Sequence, residues 1–268
     1  MKIIEYEPKE ELVKKYVYKY QFFEVDGPLF VKTVPTGTLE CWIVLDGNFE
    51  AFDPEDGKFK LSKESGFFPI GNTNHSYFIR DHIKCFNIKM KPITLGLTNF
   101  KGFIGNWRNL PVELFLGPNG QDKIKSLDFT KTDKISDQID LILTNNNNLT
   151  SLDFKIEAFI TSIFSENGIN LKISQLADKN NLSIKSLERL TKEFFGMSPK
   201  KLLNFIRFGM SAVKLKKNEG YQFIDTLEFG YYDQSHFIRE CRRITQLNPK
   251  EFLSKLNLGV HDLIVEDV

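Results

Sequence analysis

The chain has 268 residues, with 36 lysines and arginines against 35 aspartates and glutamates, so it is almost neutral. This length accommodates two hydrophobic cores. Because no apolar run approaches the roughly 20 residues that span a membrane, and the first residues lack the apolar core of a signal peptide, we expect a cytoplasmic protein with no membrane partner. The three cysteines, Cys41, Cys85 and Cys241, lack the paired spacing of a disulfide scaffold or a zinc site, and we expect packing residues.

The first 110 residues have the pattern of a small β-barrel. Short runs rich in aromatic and β-branched residues alternate with turn signals such as Asp26-Gly27 and Asp46-Gly47. The predicted strands cover residues 20–25, 29–34, 39–45, 48–52, 58–61, 77–80 and 84–89. A hollow barrel would bind a small ligand in its mouth or lumen, and the many phenylalanines would either line that pocket or fill the core.

Helical signals surround this strand-rich region. A short helix is predicted at residues 8–17, and helices broken at Pro111 and at Gly117-Pro118 are predicted between residues 93 and 127. Two amphipathic helices, at 133–143 and 152–165, flank the four asparagines at 145–148. This asparagine run is the best candidate for a linker between two domains.

The run from Gly230 to Arg243 has the pattern of a turn followed by a two-faced helix. Gly230 suits a tight turn and Asp233 is a good N-cap acceptor. One face of the helix is apolar and carries Phe237, Cys241 and Ile244. The opposite face carries the hydrogen-bonding and basic residues Ser235, Arg239 and Arg242. Such a helix buries one side and presents donors to base edges and phosphates.

The same pattern occurs fifty residues upstream. Ser183 corresponds to Asp233 as N-cap, and Arg189 corresponds to Arg239. The apolar stripe of the upstream helix consists of Leu187, Leu190, Thr191 and Phe194. A single helix of this kind is as well explained by a solvated charged face, but repetition at a fixed offset favours two helix-turn-helix units.

Residues 170–256 resemble the DNA-binding domain of the AraC/XylS-type bacterial transcriptional regulators. The resemblance is carried by residues 173–177, 183–189 and 230–239, and by Gly196-Met197-Ser198-Pro199 with the helix that follows. It implies two helix-turn-helix motifs joined by a long helix, and double-stranded DNA as the partner. The expected DNA-binding residues are Lys185, Ser186, Glu188, Arg189, Lys192, Gln234, Ser235, His236, Arg239, Arg242 and Arg243.

The charge distribution agrees with this resemblance. Residues 170–256 contain 16 lysines and arginines against 9 aspartates and glutamates, a net charge of +7, whereas the rest of the chain has a net charge of −6. A basic region of this kind attracts the phosphate backbone, and its binding should weaken as the salt concentration rises.

The N-terminal region resembles the cupin-like sensor domain of the same family. The matching segments are Tyr6-Glu7-Pro8, residues 35–37 and residues 85–92. The implied fold class is α+β and multidomain, with an N-terminal cupin-like β-barrel flanked by helices and a C-terminal all-α domain. The implied boundaries are a sensor and dimerisation domain at 1–144, a linker at 145–151 and the DNA-binding domain at 152–260. By analogy with the family, a small-molecule effector, RNA polymerase and a second copy of the chain are further expected partners.

One segment departs from the family pattern. The family has an aliphatic residue followed by alanine shortly before the signature glycine, whereas this chain has Asp225 and Thr226 there. Either Leu227 takes the place of the alanine or the helix begins at a different residue. A buried, unpaired Asp225 would cost a few kcal/mol.

The sequence leaves two other classes of function to compare with a transcriptional regulator. A sensor or protein-interaction module with partly degraded DNA binding is the chief alternative, because of Asp225. An enzyme is not expected, and no cofactor or metal is expected either. His75 and His82 stand seven residues apart without the closely spaced histidine pair of a metal-binding cupin, and phosphate-loop and nucleophile motifs are missing from the sequence.

Overall fold

The computed structural model describes the chain with several short gaps. The described residues are 1–33, 38–53, 56–68, 76–97, 100, 111–131, 134–145, 149, 151–217, 222–257 and 263–267. Within them, the N-terminal half consists mainly of strands and the C-terminal half mainly of helices. The predicted α+β class, with a strand-rich part before a helical part, is confirmed.

The described strands form two antiparallel sheets. Strand order in the first sheet is β1 (Lys2–Tyr6), β2 (Val17–Asp26), β9 (His82–Met90), β4 (Leu39–Gly47) and β7 (Gly66–Phe68). The order in the second sheet is β10 (Leu256–Asn257), β11 (Leu263–Asp267), β3 (Leu29–Thr33), β8 (Ser76–Ile79), β5 (Phe49–Asp53) and β6 (Lys58–Ser62). The second sheet therefore combines strands from the beginning and the end of the chain.

Each face of the first sheet is covered by a different layer. Because side chains alternate along a strand, Tyr20 and Phe22 of β2 point to one face, while Phe23 and Val25 point to the other. The first face packs against helices. These are α1 (Glu11–Tyr16), α2 (Glu113–Leu116), α3 (Gly120–Lys125) and α4 (Ile135–Thr144). The second face forms an apolar cluster with Leu29, Val31 and Ile79 of the second sheet, as a barrel interior requires.

In the C-terminal half, the described residues form six α-helices. They are α5 (Phe154–Phe164), α6 (Ile173–Lys179), α7 (Ile184–Phe195), α8 (Pro199–Lys217), α9 (Gln234–Thr245) and α10 (Pro249–Lys255). Two 3₁₀ turns, Gly168–Asn170 and Phe223–Phe229, precede α6 and α9. The buried residues of these helices join the same hydrophobic core that lies beneath the first sheet.

The two halves of the chain meet closely at Gly96. A Cβ atom at this position would lie 2.6 Å from Ile156 Cγ2 and 2.7 Å from Leu152 Cδ1, so that a side chain here would require both neighbours to shift. The backbone N–H of Asp153 also donates to the Gly96 carbonyl at 2.9 Å. On the other side of the molecule, Lys32 Nζ donates to Gln246 Oε1 at 3.2 Å. The N-terminal sheets and the C-terminal helices are therefore directly packed.

Most of the predicted elements lie close to the observed ones. The seven predicted strands and the helices at 8–17, 133–143 and 152–165 each correspond to an observed element, with shifts of a few residues at the ends. Strands β1, β7, β10 and β11 were not predicted. The domain boundaries stay a prediction, and residues 35–37, His75 and residues 146–148 lie outside the described residues.

Candidate nucleic-acid interface

The first motif consists of α6, a turn and α7. Ser183 is the N-cap of α7, since its side chain accepts the backbone N–H of Ser186 at 3.1 Å. Gly196 ends the helix in the left-handed conformation, at φ 65°. The predicted apolar stripe of Leu187, Leu190, Thr191 and Phe194 is buried. The helix is thus fixed on one side, and its opposite side is presented to solvent.

The exposed side of α7 carries four of the predicted DNA-binding residues. They are Lys185, Glu188, Arg189 and Lys192. Their side chains make no ion pair or hydrogen bond within the described residues. Ser186 is different, because it is half-buried and its hydroxyl lies 2.8 Å from the hydroxyl of Ser183. Ser186 therefore takes part in capping the helix.

The second motif begins with a 3₁₀ turn, Phe223–Phe229, where the family pattern has an α-helix. Thr226 is fully buried and its hydroxyl donates to the Phe223 carbonyl at 2.7 Å, while Leu227 is 39% exposed. The alternative that Leu227 replaces the alanine is therefore wrong. Asp225 is not forced into the core, because its carboxylate accepts the backbone N–H of Gln222 at 2.6 Å and caps the turn.

The recognition helix of the second motif is α9. Asp233 is its N-cap and accepts the backbone N–H of His236 at 2.6 Å, as predicted. The apolar stripe, Phe237, Cys241 and Ile244, is buried. Four predicted DNA-binding residues are exposed and make no ion pair or hydrogen bond through their side chains in the described part of the chain: Gln234, Ser235, Arg239 and Arg242.

Two predicted residues of α9 have intramolecular partners. His236 is half-buried, and its ring lies edge-on to Tyr231 with 5.2 Å between the centroids. Arg243 forms an ion pair with Glu240, with 2.6 Å between Nη2 and Oε2. Both side chains would have to exchange these contacts to reach DNA, whereas Arg239 is free to do so.

The helix α8 connects the two motifs. It extends for 19 residues, and its middle is buried through Phe205, Ile206 and Phe208. Asn204 of α8 donates to Glu240 of α9 at 3.0 Å. The long helix therefore packs against both the core and the second recognition helix, and it holds the two motifs at a fixed separation.

Tyr232 is an exposed residue to which the sequence interpretation gave no role. Its side chain is 89% exposed, and it immediately precedes the N-cap of α9. An exposed aromatic ring beside basic residues is a common feature of nucleic-acid-binding surfaces. The sequence could have indicated this role, because Tyr232 lies within the run from Gly230 to Arg243.

The thiols and histidines offer little for catalysis or metal binding. Cys41, Cys85 and Cys241 are all buried, as predicted, and burial raises the pKa of the Cys241 thiol to about 11. His82 Nδ1 lies 2.7 Å from Asp26 Oδ1 on the surface. Across the described ranges, histidine, cysteine and carboxylate side chains form no group suited to a metal ion. None of the helices in those ranges combines the length and apolar character that crossing a membrane requires.

A known protein family matches the part of the chain that contains this surface. A family model described as a helix-turn-helix domain matches residues 176–255, from α6 to the last residue of α10. The C-terminal part of the chain is an AraC-type helix-turn-helix domain. This match supports the DNA-binding transcriptional regulator that the sequence predicted.

Solved structures of ToxT from Vibrio cholerae share the fold of most of this chain. One, at 1.65 Å resolution, has a TM-score of 0.52 and 10% identity, and the match covers 88% of this chain and 97% of ToxT. Another, from strain O395, has a TM-score of 0.52 and 13% identity and covers 87% and 95%. A third is bound to (E)-4-(8-methylnaphthalen-1-yl)but-3-enoic acid, with a TM-score of 0.51, 10% identity and coverage of 87% and 97%. A comparison with curated protein sequences gave no match.

Proposed function

We propose that the protein regulates transcription by inserting α7 and α9 into the major groove of one DNA duplex. The observation that carries this proposal is the equivalence of Arg189 and Arg239. Both follow their N-caps by six residues, and both are exposed without an ion pair among the described residues. Arginine is the residue that most often reads guanine, through paired bonds to O6 and N7.

The neighbouring side chains suggest a division of roles. Lys185, Lys192 and Arg242 would contact phosphates, since they are exposed cations on the same faces as the two arginines. Gln234 and Ser235 lie in the first turn of α9, the part of a recognition helix that approaches base edges. Arg243, held by Glu240, would contribute less.

The length of α8 supports simultaneous binding by both helices. Its 19 residues, at about 1.5 Å per residue, make a helix about 28 Å long. Successive major-groove segments on one side of a duplex are about 34 Å apart. A connecting helix of this length therefore suits two recognition helices that enter adjacent turns of the groove.

The experiment that tests this proposal is selection of bound duplexes from a random DNA pool at about physiological salt. Wild type should enrich a motif of two half-elements about one helical turn apart. Arg189→Ala and Arg239→Ala should each lose one half-element, with an affinity loss equivalent to about 1–3 kcal/mol for a base contact. Arg243→Ala, on the same helix, is the matched control and should keep both half-elements.

Other outcomes of the selection have distinct meanings. If an arginine contacts only phosphate, its alanine variant binds all sequences more weakly and has a smaller salt dependence. Failure of wild type to enrich any motif would contradict the proposal and favour a sensor module with degraded DNA binding.

We also propose that a small apolar acid acts as effector of the N-terminal domain. The support is a fold shared with ToxT, one structure of which contains a naphthalenyl butenoic acid, and the apolar cluster between the two sheets of this chain. Titration of that acid should raise the melting temperature and change the affinity for the selected duplex. An unchanged melting temperature at saturating concentrations would contradict this part of the proposal.

We further propose that the protein acts in the cytoplasm as a homodimer, and the same selection tests for the dimer. The dimer is proposed to form through α4, where Leu141 is 58% exposed. A second copy would duplicate the selected motif in inverted orientation, because most homodimers are two-fold symmetric. A motif that occurs once, with one protein bound per duplex, would contradict a dimer on DNA.

A further inference from the structure

Arg207 lies at the middle of α8 and contacts the beginning of the first motif. Its Nε donates to the Ile169 carbonyl at 2.8 Å, and its Nη2 donates to the Leu171 carbonyl at 3.3 Å. These two carbonyls belong to the segment that leads directly into α6. The planar guanidinium can bind two neighbouring carbonyls at once because its donors are arranged in a rigid fork.

The same guanidinium also contacts the turn before the second recognition helix. A Cβ atom on Gly230 would lie 3.0 Å from the Cζ, Nε and Nη2 atoms of Arg207. Gly230 has φ 81°, so both its conformation and its space favour glycine. The guanidinium therefore packs against the bare backbone of the signature glycine.

This contact continues into α9 through Tyr231. Tyr231 is 5% exposed and packs edge-on against Phe237, with 5.3 Å between the ring centroids. Phe237 is the first residue of the buried stripe of α9. A shift of Arg207 would therefore move Gly230, then Tyr231, and with them the N-terminal turn of the helix that is to read DNA.

We propose that Arg207 is a positioning residue that fixes the orientation of the second recognition helix relative to the first. Its single guanidinium group hydrogen-bonds to the segment before α6 and packs against the turn before α9. Arg207 itself does not contact DNA in this role. The proposal rests on the proposed function, since a fixed orientation matters only if both helices read one duplex.

The other polar side-chain contacts of α8 differ from those of Arg207. Asn204 reaches Glu240, and Lys214 reaches Glu228 at 2.5 Å, but both of these partners belong to the second motif. They attach α8 to the second motif without determining where the first motif lies. Arg207 contacts the segment that leads into α6 and the turn that leads into α9, so its loss should loosen the angle between the two motifs while leaving each motif folded.

The test measures the preference of the protein for the spacing between half-elements. Dissociation constants are compared for the selected duplex and for the same duplex with two base pairs inserted between the half-elements. Their ratio does not depend on the fraction of active protein, so a merely less stable variant keeps the wild-type ratio. Wild type should strongly prefer the selected spacing.

Two variants address Arg207 itself. Arg207→Lys keeps the positive charge but cannot bind both carbonyls with a planar fork, and Arg207→Met keeps the chain length but removes all donors. Both variants should lower the preference for the selected spacing, which is the ratio of the two dissociation constants. We expect a drop of about tenfold, because a pair of charged hydrogen bonds is lost, and a larger effect for Met than for Lys. Affinity for a duplex with a single half-element should change less than twofold.

Lys217→Met provides the matched control, because it removes the same charge from the exposed end of the same helix. Any loss of affinity in this variant should be equal for both duplexes. A wild-type spacing ratio in Arg207→Lys and Arg207→Met would overturn the proposal, even if all affinities fell. If wild type itself showed no spacing preference, the result would contradict the proposed binding of one duplex by both helices. That outcome differs from one that contradicts the role of Arg207 alone.

Discussion

Cys241 lies on the buried face of α9, with its thiol 3.8 Å from the hydroxyl of Thr245. Burial raises the pKa of this thiol from 9.0 to about 11, and the pKa of the Cys85 thiol to about 12. Since the thiolate is the nucleophile, both thiols are poor nucleophiles near neutral pH. A reactive-cysteine chemistry in the recognition helix is therefore disfavoured.

Thiol labelling should show this protection directly. At pH 8 about one Cys241 side chain in a thousand is ionised in the folded protein, so a disulfide reagent should label it slowly, and the rate should rise about tenfold per pH unit. Because folding raises the pKa, the contribution of the neutral thiol to stability is present below pH 9 and is lost as the pH rises through about 11.

The control for this measurement is the same reaction in concentrated urea, where all three cysteines should react rapidly. Cys241→Ser should remove one labelled site from the unfolded protein. Rapid labelling of Cys241 in the native protein at pH 8 would contradict the burial described for α9.

At Asp225 and Thr226, local hydrogen bonds resolve a conflict in the sequence. A buried aspartate at an apolar position predicts a large loss of stability. Instead the segment forms a 3₁₀ turn, so that Asp225 caps its beginning and Thr226 bonds to the Phe223 carbonyl. Sequence spacing alone could not predict this, because a change from 3.6 to about 3 residues per turn alters which side chain faces the core.

At the scale of elements, the N-caps link helix stability to DNA recognition. Asp233→Ala should lower the free energy of unfolding by about 0.5–2 kcal/mol, because the backbone N–H of His236 loses its acceptor. Urea unfolding would measure this loss. The first turn of α9 should also fray, which would weaken binding at the second half-element through Gln234 and Ser235.

Asp233→Asn is the matched variant, since an asparagine side chain also accepts the N-cap hydrogen bond. It should keep most of the stability and both half-elements of the motif. Equal loss in the alanine and asparagine variants would show that the charge of Asp233 matters rather than its capping hydrogen bond.

The elements that the sequence predicted well share a strong local signal. Recognition helices α7 and α9 have N-caps, buried stripes and a fixed offset, and the long helix that was expected to follow Ser198-Pro199 is α8. Strands β1 and β7 were missed because their place depends on distant partners. Lys2 of β1, for example, pairs with Glu24 of β2. The role of Arg207 could not be predicted either, because Ile169 and Gly230 approach it only in the folded chain.

At the scale of the whole molecule, the second sheet depends on a strand from the end of the chain. All five residues of β11 pair with β3, from Leu263 opposite Thr33 to Asp267 opposite Leu29. Removal of residues 258–268 would leave β3 as an open edge, and open edges promote self-association. The shortened protein should melt at a lower temperature and form larger species in sedimentation experiments.

Replacement of Val265 by proline provides a smaller change with the same expectation, because proline cannot donate to a strand partner. A Val265→Ala variant keeps the backbone donor and is the control. An unchanged melting temperature after both the deletion and the proline substitution would contradict a structural role for this strand.

The pairing of β11 with β3 also has a consequence for the order in which the protein is completed on the ribosome. Domains generally fold as they emerge, from the N-terminus onward. Strand β3 ends at Thr33, yet its partner is not made until the ribosome has passed residue 267. The second sheet therefore waits until all the helices of the C-terminal half have been translated, and a chain that is still being synthesised cannot have its finished strand-rich half.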